Sequence, residues 1–549
     1  MKPILDNPLY YLENFQLVLD WLTTRYNDLL TADEREFIAS FQSLPSNAQA
    51  LFVRMVMRKG EFFRLTKLNY AEIGDPQMAI APLIAAGWVE SDPMLSIDQL
   101  FEVLSKPEIT SIFDLTAPIK QSKKAEQLCY LRDRVGPAKR YSCWHSSSQE
   151  TLVQITNQAL CDRLRLIFFG NCHQDWSEFV LSDLGIYRYE SVEISLESRG
   201  FQTRGDIDDY LRLQQYRDLF EQDAQISIAC SHALSLHIQN KWIDRRRHKF
   251  MFQLGQAAEK CKDWDLAIHI YQRTFYPGVR ARLIRTFEKN GQSLQALDLL
   301  NEALTAPENE AELQQLQRSA PRLQRRLGHK QVGVANPSSV ERMDLQLPYP
   351  GEAYSVENVV RDFLHRDDAP VFYVENSLIN SLFGLLCWKA IFKPVSGAFF
   401  HPFHRGPVDL TSVDFYARRQ DIFEQCFNQL ETGEYATTIL QTYVEKQGMQ
   451  SPFVFWSLLD HTLIDLALTC IPASHLKLWF TRILSDVKLN RNGFPDLIQF
   501  WPQEKRYNMI EVKGPGDRLQ DNQKRMMEYC LTHQMPIAVC YLEWCEVSL

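Results

Sequence analysis

The chain has 549 residues, too many for one hydrophobic core, and at roughly 150 residues per domain it should divide into about three or four units. A composition of 45% hydrophobic, 12% aromatic and 23% charged residues excludes disorder for most of it, because that much apolar surface offsets the entropy of ordering the chain. The net charge of −9, from 59 basic and 68 acidic residues, excludes a protein that coats nucleic acid non-specifically, so any contact with a polyanion must come from local patches.

The segment Met1–Asp6 lacks a charged region followed by an apolar run, and the expected compartment is the cytoplasm. Residues 8–110 read as short amphipathic helices: Leu9, Leu12, Phe15, Leu17, Val18 and Trp21 keep helical spacing, and Asp33 followed by Glu36 resembles a helix N-cap. Between Leu51 and Lys67, Arg54, Arg58, Lys59, Arg64 and Lys67 face a single acid, Glu61. This is either a solvated helix face or a patch that releases counterions from a nucleic-acid backbone. The run Arg245-Arg246-Arg247-His248-Lys249 carries the same two readings. The weakly polar stretches Ala79–Val89 and Ser381–Trp388 are interrupted by Pro82, Gly87 or Gly384, and a membrane helix needs about 18 apolar residues, so no span is expected. Twelve cysteines, spaced singly from Cys129 to Cys545 with no CxxC pair, fit reduced thiols better than a disulfide framework or a zinc knuckle.

Residues 250–330 are rich in helix formers, and Trp264–Gln272 resembles Leu294–Glu302 about thirty residues later, slightly short of the roughly 34 of a tetratricopeptide repeat. Gly328–Gly351, with Asn336-Pro337-Ser338-Ser339 and Pro348-Tyr349-Pro350, reads as an exposed connection and places a boundary near 350.

The chemistry lies beyond that boundary. Glu375 precedes the apolar helical run Leu378, Ile379, Leu382, Phe383, Leu385 and Leu386, which sets a carboxylate at the start of a buried helix. Arg491–Trp501, the polar turn Pro502–Arg506, and Tyr507–Lys513 read as strand, turn, strand. Side chains alternate faces along a strand, so Glu511 and Lys513 share one face, Ile510 and Val512 enter the core, and Asp496 opens the neighbouring strand. Two carboxylates beside an ammonium suit a magnesium or manganese ion and hydrolysis of a phosphodiester, although an ion network on a hairpin has the same pattern. His401 and His404, beside Pro402 and without acidic or cysteine neighbours, read as a loop rather than a metal site.

Arg491-x-Gly493-x-Pro495-Asp496-Leu497, then Glu511-Val512-Lys513-Gly514-Pro515-x-Asp517-Arg518-Leu519 and Asn522-Gln523, resemble the virus-type replication-repair nuclease (VRR-NUC) domain of the PD-(D/E)XK superfamily. Tyr10-Tyr11-Leu12, Leu51–Arg54, Arg58-Lys59, Thr66-Lys67-Leu68-x-Tyr70, Glu375 with Asn380–Gly384, and Pro407-x-Asp409-Leu410 with Asp414-Phe415-Tyr416 extend the likeness to the Fanconi-associated nuclease family in its bacterial form, over nearly the whole chain.

The resemblance implies a mostly α multidomain protein: a helical DNA-binding module with a SAP-like part at 1–130, a helical linker region at 131–249, tetratricopeptide-like repeats at 250–350, and an α/β restriction-endonuclease-like nuclease domain at 351–549. It implies metal ligation by Glu375, Asp496, Glu511 and the Val512 carbonyl, with Lys513 serving the attacking water. It further implies a Mg2+- or Mn2+-dependent endonuclease on 5′-flapped or branched DNA, with 5′-to-3′ exonuclease action, in interstrand crosslink repair. DNA contacts are expected at Arg54, Arg58, Lys59, Arg491, Arg518 and Gln523, and a nucleoid-associated monomer in the bacterial cytoplasm. Two other readings are a Holliday-junction resolvase, which would need a dimer for symmetric cuts, and a non-catalytic repair scaffold.

Overall fold

The computed structural model describes residues 7–146, 148–174, 176, 187–223, 225–328, 340–351 and 354–545, and it divides into two compact units, Met1–Arg188 and Tyr189–Leu549. The first unit opens with helices Tyr10–Arg25, Ala32–Ser43 and Ser46–Val56, whose apolar faces bury Phe37, Phe41 and Phe52 against Trp88 and Phe15 against Phe41. The second helix starts two residues earlier than the Asp33 pattern suggests: Thr31 accepts the Glu34 amide and the Glu34 carboxylate accepts the Thr31 amide, a reciprocal cap that stabilises the turn by about 1 kcal/mol. A small antiparallel sheet in the order β1-β5-β2 follows, formed by β1 (Phe62–Arg64), β2 (Val89–Ser91) and β5 (Leu152–Ile155). The strands β3 (Met94–Leu95) and β4 (Lys139–Arg140) pair separately. Between those two, helices Ile97–Val103, Lys106–Ile112 and Lys124–Arg132 enclose Leu100, Leu104, Ile109 and Leu131.

In the second unit the two look-alike segments are both second members of helical hairpins. Trp264–Tyr271 packs on Lys241–Lys260, and Ser293–Thr305 packs on Val279–Lys289. The repeat read from the sequence is therefore structural, since each hairpin leaves an apolar face that only the next can cover. The stack ends on Glu310–Arg326, and this helix is bonded to the nuclease fold: Arg318 pairs with Asp521 at 2.6 Å, Glu310 with Arg482 at 2.7 Å, and Gln314 accepts from Arg525 at 2.8 Å. Those bonds explain why repeats and nuclease form a single unit.

The nuclease sheet has the order β6-β10-β9-β8-β7, with β6 (Glu341–Pro348), β7 (Val371–Tyr373), β8 (Leu497–Trp501), β9 (Arg506–Lys513) and β10 (Ile537–Cys545). β10 runs parallel to β6 and β9, whereas β8 is antiparallel to both of its neighbours, β7 and β9. Strand β6 corrects the expectation of a plain connection over 328–351. Its polar residues Arg342, Asp344 and Gln346 are exposed while Met343, Leu345 and Leu347 alternate with them and pack on the sheet's core, and its eight-residue register with β10 supplies the backbone pairing that composition does not reveal. Residues 329–339 of that expected connection lie outside the described residues. Helix Val356–Leu364 covers one sheet face through Val360, Leu497, Ile510 and Val512. Among the described residues no single helix is long and apolar enough to cross a membrane. The bent pair His461–Cys470 and Ala473–Ser485, turned by 107°, buries Ile464, Leu476, Trp479 and Phe480 in this unit.

Candidate active site

Strands β8 and β9 pair with Leu497 opposite Ile510, so Asp496, one residue before β8, reaches the far end of β9. There its Oδ2 accepts the Val512 amide at 2.8 Å. Glu511 and Lys513 do share a face, and the Lys513 ammonium stands 2.7 Å from Glu511 Oε1. That face is as closed as the apolar one, with Glu511 1%, Asp496 8% and Lys513 8% exposed, so three ionisable groups lie in a poorly solvated wall. Gln523 donates to the same Glu511 oxygen from the first turn of helix Asp521–Thr532.

Glu375 joins them through a turn that is stitched to the Asp496 loop. The Val374 amide donates to the Asp496 carbonyl at 2.8 Å, and Asn376 Oδ1 accepts the Phe494 amide at 3.0 Å. The Asn380 side chain donates to the Asn376 carbonyl at 2.8 Å and to the Arg491 carbonyl at 2.7 Å. Asn376 holds a φ of 50°, a left-handed conformation that asparagine tolerates because its short amide bonds locally. The Glu375 carboxylate itself is exposed; Tyr373 Oη donates to its Oε2 at 2.6 Å and Asn376 Nδ2 to its Oε1 at 3.2 Å. Gly493 completes the fit: at φ 91° it abuts the Asp521–Thr532 helix, where a Cβ would meet the Asn522 carbonyl oxygen at 3.0 Å.

The electrostatics are those of a crowded anion site. Burial pushes Asp496 up to about 6, the charges of Glu375 and Glu357 adding to the rise and the Val512 amide and Lys513 opposing it. Burial also pushes Glu511 up to about 7, with Asp496 next in importance and Lys513 opposing. Glu357, in the first turn of Val356–Leu364, is a fourth carboxylate near Asp496. Four carboxylates against one ammonium leave a negative excess, and every donor is a hard oxygen, so the chemistry fits a divalent cation of the magnesium type. Among the described residues no three acidic, histidine or cysteine side chains close around one point. Tyr373 and Asn376 hold Glu375, while Lys513 and Gln523 share one oxygen of Glu511.

The expected DNA contacts separate. Arg54 is occupied: its guanidinium pairs with Glu72 at 2.6 Å and lies over the Tyr11 and Tyr70 rings at 3.8 and 4.8 Å, so counting acids along the local sequence missed its partner eighteen residues on. Arg58 and Lys59 are exposed at the end of Ser46–Val56, Arg58 resting over Tyr70. Arg518 is exposed in the loop after Lys513, and Arg491 is half-buried beside the Glu375 turn. In the Arg245–Lys249 run, Arg245 pairs with Asp414 at 3.1 Å and Arg247 with Asp244 at 2.7 Å, so much of that charge is internal. Tyr373, Asn376 and Glu357 were not read from the sequence. The signal for Tyr373 was present, because residues two apart at a strand end share a face.

Residues 9–90 match the FAN1 helix-turn-helix domain family, 94–144 the Fanconi anemia-associated nuclease SAP domain, and 430–544 the VRR-NUC domain. The chain is 49% identical over 543 residues to the Fanconi-associated nuclease 1 homolog of Pseudomonas aeruginosa, covering 99% of this chain and 97% of that one. It spans 62% of the corresponding rice homolog, at 25% identity. The crystal structure of paFAN1 bound to 5′ flap DNA with a two-nucleotide flap and a gap superposes with a TM-score of 0.93 at 49% identity, covering 99% of this chain and all of that one. Fold and site thus define a nuclease built on a VRR-NUC domain with helical modules ahead of it. The chain belongs to the Fanconi-associated nuclease family.

Proposed function

We propose that the protein is a structure-selective DNA nuclease that hydrolyses phosphodiester bonds in 5′-flapped or branched DNA, with magnesium or manganese as cofactor, and acts in the repair of DNA damage including interstrand crosslinks. The observation that carries this reading is the meeting of Asp496, Glu511 and Lys513 on paired strands beside the Glu375 turn. The flap DNA held by paFAN1, which aligns over almost the entire chain, supports the substrate class.

Glu375, Asp496, Glu511 and the Val512 carbonyl would hold the ion. When bound, such an ion neutralises the phosphodiester, acidifies water and stabilises the leaving oxygen. Lys513 spends one donor on Glu511 and has two more for the attacking water or a phosphoryl oxygen. Asp496 is anchored through Oδ2, and its other oxygen would serve the ion. Gln523 restrains the Glu511 rotamer, and Tyr373 restrains Glu375, which limits the reorganisation each carboxylate needs before reaction.

The test is cleavage of a labelled 5′ flap beside 3′ flap and four-way junction substrates, in magnesium or manganese, by wild type and Asp496→Ala. Preferential flap cutting that the variant loses, while still binding DNA, is the expected result. Binding without cutting in either ion would point to a scaffold, and paired symmetric cuts in the junction to a resolvase.

A further inference from the structure

Each acidic side chain assigned to the ion has one oxygen engaged by a donor of the chain itself. Asp496 Oδ2 accepts the Val512 amide at 2.8 Å. Glu511 Oε1 takes the Lys513 ammonium, at 2.7 Å, together with the Gln523 side-chain amide. Glu375 Oε2 accepts the Tyr373 phenol at 2.6 Å, while its Oε1 meets the longer Asn376 side-chain bond of 3.2 Å. Every carboxylate thus keeps one oxygen firmly tied.

The three ties differ in what maintains them. The donor to Asp496 is backbone within the β8–β9 ladder, which no side-chain change removes. Glu511 has two donors on the same oxygen, so one remains when the other is lost. The firm tie on Glu375 is one hydroxyl. Tyr373 ends β7 opposite Leu497, the residue after Asp496, and the Val374 amide bonds to the Asp496 carbonyl at 2.8 Å, so the ladder that positions Asp496 also positions the phenol. A phenol keeps its proton below about pH 10 and is therefore a donor under ordinary working conditions. Glu375 is exposed, and a carboxylate otherwise turns in a broad two-fold well about its last bond. The bond to Tyr373 stops that rotation.

We propose that Tyr373 sets the choice of ion: by keeping Glu375 Oε2 occupied it leaves one oxygen of that carboxylate for the cation, which suits magnesium and disfavours calcium. Magnesium needs a near-octahedral set of single oxygens at about 2.0–2.1 Å and retains water, whereas calcium takes about six to eight oxygens and often both from one carboxylate. Without the hydroxyl, Glu375 can turn and offer both. This role rests on the reading of Glu375, Asp496 and Glu511 as ligands. Tyr373 is a positioning residue in it, acting on the ion only through Glu375.

The test compares full-length wild type, Tyr373→Phe and Asp496→Ala in two assays. The first follows the rise in melting temperature of metal-free protein as magnesium or calcium is added, which reports ion binding without turnover. The second measures the calcium concentration that halves cleavage of a labelled 5′ flap in magnesium. Tyr373→Phe should bind calcium roughly tenfold more tightly relative to magnesium, and calcium should inhibit its cleavage at a correspondingly lower concentration. Asp496→Ala should lose most of both melting responses, which assigns them to this site. An unchanged calcium-to-magnesium ratio in Tyr373→Phe, including the case in which both ions weaken together, would show that the phenol only braces Glu375 and would overturn the proposal. A wild type whose melting and flap cleavage respond to neither ion would overturn the metal reading instead.

Discussion

Asn376 Oδ1 accepts the Phe494 amide at 3.0 Å, and this bond joins the turn that carries Glu375 to the loop that carries Asp496 across more than a hundred residues of chain. Because Asn376 also holds a φ of 50°, it is a joint whose geometry only a few residue types can reproduce.

Asn376→Val places a β-branched side chain at that positive φ and removes the bond. Cleavage of a 5′ flap should fall by about tenfold or more, because Glu375 loses its alignment with Asp496, while flap affinity changes by less than about twofold. Single-turnover rates beside equilibrium binding check this, and equal losses in both would make Asn376 a general stability residue.

The raised carboxyls make a prediction about stability. Asp496 at about 6 and Glu511 at about 7 lie above their unfolded values near 4, so the folded chain binds more protons than the unfolded chain between those limits. Their favourable contribution is full below about pH 4 and lost as pH rises through the folded values. With EDTA present, wild type should therefore lose stability between pH 5 and pH 8 by more than Asp496→Asn does, the difference being on the order of 1–3 kcal/mol. Thermal melts at the two pH values measure it; an identical pH response in the two proteins would show that Asp496 carries no such strain.

Calcium takes oxygen ligands in looser geometry than magnesium, so it should support flap binding while suppressing turnover. Anisotropy and gel cleavage in the same buffer compare the two directly. Undiminished cutting in calcium would contradict the ligand role given to Glu375, Asp496 and Glu511.

The basic residues of the first unit should behave in two ways. Arg54→Ala breaks the bond to Glu72 and the stacking on Tyr11, and should destabilise that unit by roughly 1–3 kcal/mol. The double change Arg58→Glu with Lys59→Glu should leave melting unaltered, weaken DNA binding and flatten its logarithmic salt dependence by roughly 1–2. An unchanged salt slope would make the exposed pair an ordinary solvated surface.

Much of the site was legible in the sequence because it is local. The alternation that sets Glu511 and Lys513 on one face, the hairpin that brings Asp496 beside them, and the apolar run after Glu375 all follow from periodicities of two and 3.6 residues. The helical repeat was legible for the same reason. Other features depend on chain segments far apart. Strand β6 lies in a turn-rich stretch that resembles a linker until β10 pairs with it, and Arg54 looks free until Glu72 folds back. Thr31 caps its helix only through the reciprocal bond with Glu34, where a nearer acid offered a similar pattern. The burial that raises Asp496 and Glu511 is likewise tertiary. Residue types and short spacings determine which chemistry the chain carries; desolvation and partners drawn from distant segments decide how that chemistry is poised, because both are properties of packing that no local window contains.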